Sequence, residues 1–168
     1  MKALEPITKY ESQSPAGLRR FTKLVAVSTL FLIFAGAMVT STGSGLAVPD
    51  WPLSYGMLMP PMVGGIFYEH GHRMIATAVG LLTIIQAIWL QRREPKKFVR
   101  TLGWLSLGAV ILQGILGGYV IWSGKQPHIT SLHVMFGAST LALSVILTLS
   151  ARTLSWRRTS PHANLIEV

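Results

Sequence analysis

The chain has 168 residues, of which half are hydrophobic and only 12% are charged, with a mean hydropathy of +0.47 and a formal net charge of +9. This composition favours an integral membrane protein over a water-soluble domain. The absence of cysteine excludes structural disulfides, iron–sulfur ligation by thiolates, a thiolate-ligated haem and covalent haem attachment. Any tightly held cofactor must therefore be bound by histidine, methionine, oxygen atoms or packing.

Four uncharged runs are each long enough to cross about 30 Å of hydrocarbon as a helix. They predict an all-α integral membrane protein, a four-helix transmembrane up-and-down bundle, because the last two connections are short and make neighbouring helices antiparallel. In chain order we expect a tail at residues 1–23, a transmembrane domain at 24–151 with spans at about 24–44, 72–90, 102–122 and 129–151 and a loop at 45–71, and a second tail at 152–168.

The basic residues are distributed unevenly among the connections. Of the 15 Lys and Arg residues, thirteen lie in the two tails or between the second and third spans, and only Arg73 and Lys125 lie on the opposite side. This asymmetry follows the positive-inside rule and does not indicate a nucleic-acid patch. We therefore expect a multi-pass protein of the cell (inner) membrane, with both termini in the cytoplasm, the loop at 45–71 outside, and no nucleic-acid partner.

Two histidines are candidate ligands of an iron-containing cofactor. His72 opens the second span and His133 lies a few residues into the fourth, and both helices run inward from the outer surface. The two imidazoles are therefore expected at similar depth on different helices, where they could ligate a haem iron from opposite faces. Two unrelated polar contacts are the alternative. His162 is expected to be solvated, His128 to be solvated or in contact with headgroups.

The motif YEHGHR, at residues 68–73, adds a carboxylate and a guanidinium to this region. If the second helix extends back through the motif, Glu69, His72 and Arg73 project from one face, and His70 points elsewhere. Glu69 could pair with Arg73 as a structural contact, or serve in proton transfer. Arg73 could instead pair with a haem propionate.

A copper site is a further hypothesis, because thioether and imidazole ligands suit copper. Methionines are also ordinary apolar side chains near a membrane. The candidate ligands are Met57, Met59, Met62, His70, His72 and Met74.

The third span contains a GxxxG motif at Gly114 and Gly118, with Gly117 beside it. Such spacing lets a neighbouring helix or a flat ligand approach the backbone closely. Helix packing is the simpler interpretation, and a homo-oligomer is a hypothesis that also follows from it.

Four segments together resemble the N-terminal half of the haem A synthase family. They are TSTGSGLAVPDWPLSYG at 40–56, EHGHR at 69–73, LQGILGG at 112–118 and the SLH that ends at His133, so that the resemblance covers about residues 24–150. It implies a membrane oxidoreductase that oxidises a methyl group of haem O to the formyl group of haem A for terminal oxidase biogenesis. It also implies that His72 and His133 are axial ligands of the substrate haem iron and that Glu69 is catalytic.

Family members are commonly about twice as long, with a second half that holds an accessory haem b, and many carry a cysteine pair in the first outer loop. We expect that half to be supplied by a second copy of the chain or a separate partner, or not to be needed, and an external electron donor to be required. The farnesyl tail of haem O is expected in a lateral gap between helices. The alternative function is a non-catalytic bis-histidine b-type haem protein, an electron-transfer or assembly subunit of a respiratory complex.

Overall fold

The computed structural model describes residues 14–152, and these residues form four long helices. All four are long and apolar enough to cross a membrane, and within the described range there is no strand, only an isolated bridge between Ser54 and Met57. The helices are α1 (Ala16–Ser41), α2 (Gly64–Arg93), α3 (Lys97–Trp122) and α4 (Pro127–Arg152). The predicted all-α membrane bundle is confirmed.

The helices form a four-membered ring in which each contacts two neighbours. α1 packs against α2 and α4, and α3 packs against the same two helices, so α1 and α3 are diagonal to each other, as are α2 and α4. The chain alternates in direction from each helix to the next, so every helix, including α1 beside α4, is antiparallel to both of its neighbours. One end of the bundle carries the connection at residues 42–63, and we call it the loop end. The opposite end is the tail end.

The interior and exterior of the bundle differ in polarity in the way expected for a protein in lipid. Large apolar side chains such as Val27, Phe31 and Ile85 are exposed on the outer faces. Many of the buried side chains are small and hydroxyl-bearing, and their hydroxyls bond to backbone carbonyls, as Thr29 does to Val25 and Thr83 does to Val79. An apolar cluster closes the tail end, formed by Leu18, Leu90, Val99, Leu102, Leu147 and Ala151.

The helices extend beyond the spans expected from hydropathy. α1 begins at Ala16, so that its first two turns include the charged residues Arg19, Arg20 and Lys23. It ends at Ser41, shortly before Gly43, whose φ is +68°. α2 has 30 residues, about 45 Å at 1.5 Å per residue, and begins at Gly64, eight residues before His72. Charge-free runs mark the part of a helix that lipid can surround, and they miss the turns that carry charged side chains at the surface. Of the predicted tails at 1–23 and 152–168, residues 1–13 and 153–168 lie outside the described residues, whereas residues 16–23 and Arg152 belong to α1 and α4.

Candidate functional site

The loop at the end of the bundle is fixed over α3 by an aromatic contact. Trp51 lies on Gly118, where a Cβ would come within 2.7 Å of the indole Cδ2. The same indole meets Trp122 edge to face, with ring centroids 5.4 Å apart and an interplanar angle of 88°. The glycine therefore accommodates a loop side chain and not another helix, whereas Gly114 of the same GxxxG motif faces open space.

Arg73 anchors this loop to α2 through both terminal nitrogens of its guanidinium. Nη1 donates to the carbonyl oxygens of Asp50 at 2.7 Å and Leu53 at 2.9 Å. Nη2 donates to the carbonyl oxygen of Val48 at 3.1 Å and to Oε1 of Glu69 at 2.6 Å. These four bonds use the hydrogens of both terminal nitrogens, so only the Nε hydrogen has no hydrogen bond in this set.

Glu69 is buried, with 3% of its surface exposed, and both of its oxygens accept hydrogen bonds. Oε1 accepts from Arg73, one turn away on α2, and Oε2 accepts from the backbone N–H of Val48 at 2.8 Å. A buried carboxylate requires such partners. α2 includes the whole YEHGHR motif, so the expectation that Glu69, His72 and Arg73 share one side of a continuous helix is consistent with the structure.

His70 faces the loop. Its Nδ1 lies 2.8 Å from the hydroxyl oxygen of Ser54, which is fully buried. Its Nε2 is also buried and has no hydrogen-bond partner among residues 14–152. His70 is therefore a second attachment of the loop to α2, beside Arg73. His128, at the start of α4, is exposed to solvent or headgroups.

His72 and His133 lie on the two diagonal helices α2 and α4, and each is backed by a glycine of a third helix. The Cε1 atom of His72 lies 3.1 Å from the position of a Cβ on Gly36 of α1. His133 lies against Gly117 of α3 in the same way, at 3.2 Å. In the antiparallel register of α2 and α3, in which Gly103 packs on Ala87, Gly117 lies close to the level of His72. The structure thus brings both predicted ligands to one level of the bundle, across its axis.

Each of these two histidines has one ring nitrogen without a hydrogen bond among residues 14–152, while the ring of His72 also contacts the Leu32 backbone of α1. Nδ1 of each is buried without a hydrogen-bond partner in the described part of the chain. The backbone at His133 is held by Gln113 of α3, whose Nε2 donates to the His133 carbonyl oxygen at 2.9 Å. Two imidazoles on diagonal helices, each backed by a glycine and each with a buried Nδ1 that lacks a partner in the described part of the chain, fit the axial ligation of a flat iron macrocycle.

The copper hypothesis gains no support from the structure. Met57, Met59 and Met74 are exposed. Among the described residues there is no group of three or more His, Asp or Glu side chains placed to hold a metal ion. These methionines are placed as apolar surface side chains.

Several residues of the site were not singled out from the sequence. Asp50 orders the tip of the loop, where Oδ1 accepts from the N–H of Tyr55 at 2.7 Å and Oδ2 accepts from the N–H of Gly56 at 2.8 Å. These bonds lower the pKa of the Asp50 carboxyl below its ordinary value of 3.8. Asp50 precedes a turn with positive φ at Tyr55 and Gly56. In the sequence, Asp50 is followed by Pro52 and Gly56, residue types typical of turns, and this is the signal that could have revealed its role. Gly36 carried no such signal.

Comparison with known proteins gives one consistent result. A sequence model of the cytochrome oxidase assembly protein family, COX15-CtaA, matches residues 19–65 and 62–167. The chain is 36% identical to the heme A synthase of Shouchella clausii over 136 residues, which is 79% of this chain and 45% of that protein. It is also 36% identical to the heme A synthase of Alkalihalophilus pseudofirmus over 140 residues, covering 80% of this chain and 46% of that one. The chain spans about half the length of the relatives it matches.

Proposed function

Since the chain belongs to the COX15-CtaA family of cytochrome oxidase assembly proteins, we propose that it is a half-length haem A synthase-like oxidoreductase, in which the methyl group of haem O is oxidised to the formyl group of haem A. The observation that carries this proposal is the pairing of His72 and His133 across the bundle, with the buried Glu69 one turn from His72. The matched relatives are named heme A synthase, which supports the same reaction.

In this proposal His72 and His133 hold the iron of the haem substrate from opposite faces. Gly36 and Gly117 leave the space in which the two rings stand, since a Cβ at either position would press on an imidazole. The sequence suggests that Arg73 pairs with a haem propionate. We propose a different role for it. With both terminal nitrogens engaged by the loop and by Glu69, it acts by holding the loop over the haem site.

Glu69 is proposed as the catalytic carboxylate. Because Val48 and Arg73 fix both of its oxygens, the side chain is preorganised and does not need to reorient when charge develops nearby. A fixed carboxylate can stabilise positive charge that develops at the haem substituent, or take up a proton during the oxidation.

A groove between α1 and α2 is proposed to accept the isoprenoid tail of haem O. It has a volume of about 370 Å³, is almost entirely apolar, and opens laterally on the lipid-facing side of the bundle. It begins at Ile75, one turn from His72, and continues to Leu82, with Val27 and Phe31 of α1 on its other wall. A tail that leaves the haem at the level of His72 would enter this groove directly.

The second candidate function is a non-catalytic bis-histidine b-type haem protein, an electron-transfer or assembly subunit. One observation favours it. The hydrogen bonds of Glu69 to Arg73 and Val48 are those expected of a carboxylate with a structural task. In that case the protein binds haem b with a low-spin bis-histidine spectrum, the haem is reduced reversibly, and no haem is modified.

The experiment that separates the two functions is extraction of bound haem from detergent-purified protein after co-expression with a source of haem O. Chromatography and mass spectrometry identify the haem. We expect haem A or its hydroxylated precursor in the parent protein, and unmodified haem O bound to Glu69→Gln. Haem b alone in the parent protein, with haem O unchanged, would establish the second function. Variants of His72 or His133 disturb haem binding in both cases and do not discriminate.

We propose that the loop end faces outward and that both termini are cytoplasmic in the inner membrane, from the placement of the basic residues. Conversion of the methyl group to the formyl group removes four electrons and adds one oxygen atom, so an oxidant from outside the chain is needed, and with dioxygen as that oxidant an external electron donor is required as well. A second copy of the chain or a separate protein is the proposed source of a second half, if one is needed.

A further inference from the structure

The bundle contains a layer of buried polar side chains near its tail end, well away from the histidine pair. Contacts between helices place the members of this layer at one level. Gly103 of α3 packs on Ala87 and Leu90 of α2, and because the helices are antiparallel, Ser106 lies level with Gln86. The polar layer consists of Thr22 on α1, Thr83 and Gln86 on α2, Ser106 on α3, and Ser144 and Thr148 on α4.

The same antiparallel register brings α4 to this level. Gly117 of α3 meets His133 of α4, and four residues earlier Gln113 meets Gly137, so that residues of the two helices whose numbers sum to 250 are opposite each other. Ser106 is therefore opposite Ser144. The hydroxyl of Thr148 in turn donates to the carbonyl oxygen of Thr22 on α1 at 3.1 Å. All four helices thus contribute to the layer.

Most hydroxyls of the polar layer have partners in the backbone. Thr83 donates to Val79, Ser144 to Thr140, and Thr148 to Ser144 as well as to Thr22. Gln86 and Ser106 are the exceptions. Both are 1% exposed, and the two amide atoms of Gln86 and the hydroxyl oxygen of Ser106 have no hydrogen-bond partner within residues 14–152.

A buried primary amide with neither its donor nor its acceptor satisfied is unfavourable, and more so where lipid and not water surrounds the bundle. The sequence provides no ionic partner, because the neighbouring residues of the polar layer are hydroxyl-bearing and uncharged. Below the layer the apolar cluster with Leu18, Leu90 and Leu147 separates it from the tail-end surface. The group that satisfies Gln86 must therefore be small, neutral, and able both to donate and to accept.

We infer that Gln86 and Ser106 bind ordered water inside the bundle, between α2 and α3, at a site separate from the histidine pair. A water there accepts from the amide nitrogen of Gln86, donates one hydrogen to the amide oxygen of Gln86 and the other to the hydroxyl oxygen of Ser106, and so gives each of the three atoms a partner. The site lies seven residues from the end of α2, about 10 Å along the helix, and fourteen residues from His72. It links two helices through the solvent molecule.

Water-edited solid-state NMR of the full chain in lipid bilayers tests this site directly. Magnetisation is transferred from water to protein labelled with ¹⁵N-glutamine and ¹³C-methyl leucine. The Gln86 side-chain signal is assigned by its loss in Gln86→Met. We expect the Gln86 amide to receive water magnetisation at short mixing times, as the exposed Gln126 does, while the methyl groups of Leu90 and Leu147, both fully buried, do not. If the Gln86 amide receives water magnetisation as slowly as these methyl groups do, the inference is overturned.

Two substitutions give independent readouts. Ser106→Ala should slow the transfer of magnetisation to Gln86 by removing one of the groups that hold the water, and an unchanged rate would contradict a shared site. Gln86→Met has nearly the same volume without polar atoms, so thermal unfolding distinguishes a hydrated amide from a dry one. If water satisfies Gln86, the melting temperature stays the same or falls, whereas a rise would mean that the parent amide is unsatisfied and dry.

Discussion

Glu69 and Arg73 lie one turn apart on α2, joined by an ion pair of 2.6 Å, and both bind the same loop residue. Glu69 accepts the backbone N–H of Val48, and Arg73 donates to the Val48 carbonyl oxygen. The pair therefore holds one residue of the loop by both of its backbone polar groups. The position of the carboxylate beside His72 and the position of Val48 over the bundle therefore depend on the same two side chains.

Removing the guanidinium should destabilise the protein. In Arg73→Gln, Glu69 remains buried without its charged partner and three loop carbonyls lose their donor. Breaking a buried pair from one side costs about 3 kcal/mol or more, whereas neutralising both partners costs less. Equilibrium unfolding in mixed micelles should therefore show that Glu69→Gln/Arg73→Gln is more stable than the sum of the single variants predicts. Strict additivity would mean that the pair is not coupled.

The two glycines behind the histidines should be sensitive to a single methyl group. A Cβ at Gly36 or Gly117 lies 3.1 or 3.2 Å from an imidazole Cε1, so that Gly36→Ala and Gly117→Ala must shift the ring by a few tenths of an ångström. We expect altered histidine ¹⁵N shifts in both variants, and a changed Soret band when haem is bound. Gly114→Ala is the matched control, because nothing lies within 4 Å of its Cβ position. Equal spectra for all three variants would contradict the proposed backing role.

The fold and the site were predictable from the sequence to different extents. Four uncharged runs imply four membrane helices because length and hydropathy alone decide which segments can cross lipid. The approach of His72 and His133 follows from helix direction and depth. The task of Arg73 could not be predicted, because backbone carbonyls are its main partners and every residue supplies one. The packing of Trp51 on Gly118 likewise depends on the path of a loop that has no periodicity.

The contact between Trp51 and Gly118 should control the order of the loop. In Gly118→Ala the new Cβ would lie 2.7 Å from the indole, which is too close, so Trp51 must leave its place beside Trp122. The edge-to-face pair that is lost contributes about 0.5–1.5 kcal/mol beyond its buried area. We expect red-shifted tryptophan fluorescence and faster amide exchange at residues 50–56. Gly108→Ala, on the same helix with open space at its Cβ, should change neither.

Acidification should release the tip of the loop. Hydrogen bonds from the N–H groups of Gly56 and Tyr55 hold the pKa of Asp50 below its ordinary value of 3.8. Since the pKa of the folded state is the lower one, the contribution of Asp50 to loop order is fully present above pH 3.8 and is lost as the pH falls through the folded-state pKa. Amide exchange at Tyr55 and Gly56, corrected for the intrinsic effect of pH, should therefore show protection that is constant at higher pH and declines below that value. Asp50→Asn keeps one acceptor oxygen and cannot serve both amides, so its protection should be weaker at neutral pH and should not decline in this acid range. Equal acid sensitivity in the parent and in Asp50→Asn would assign the effect to another group.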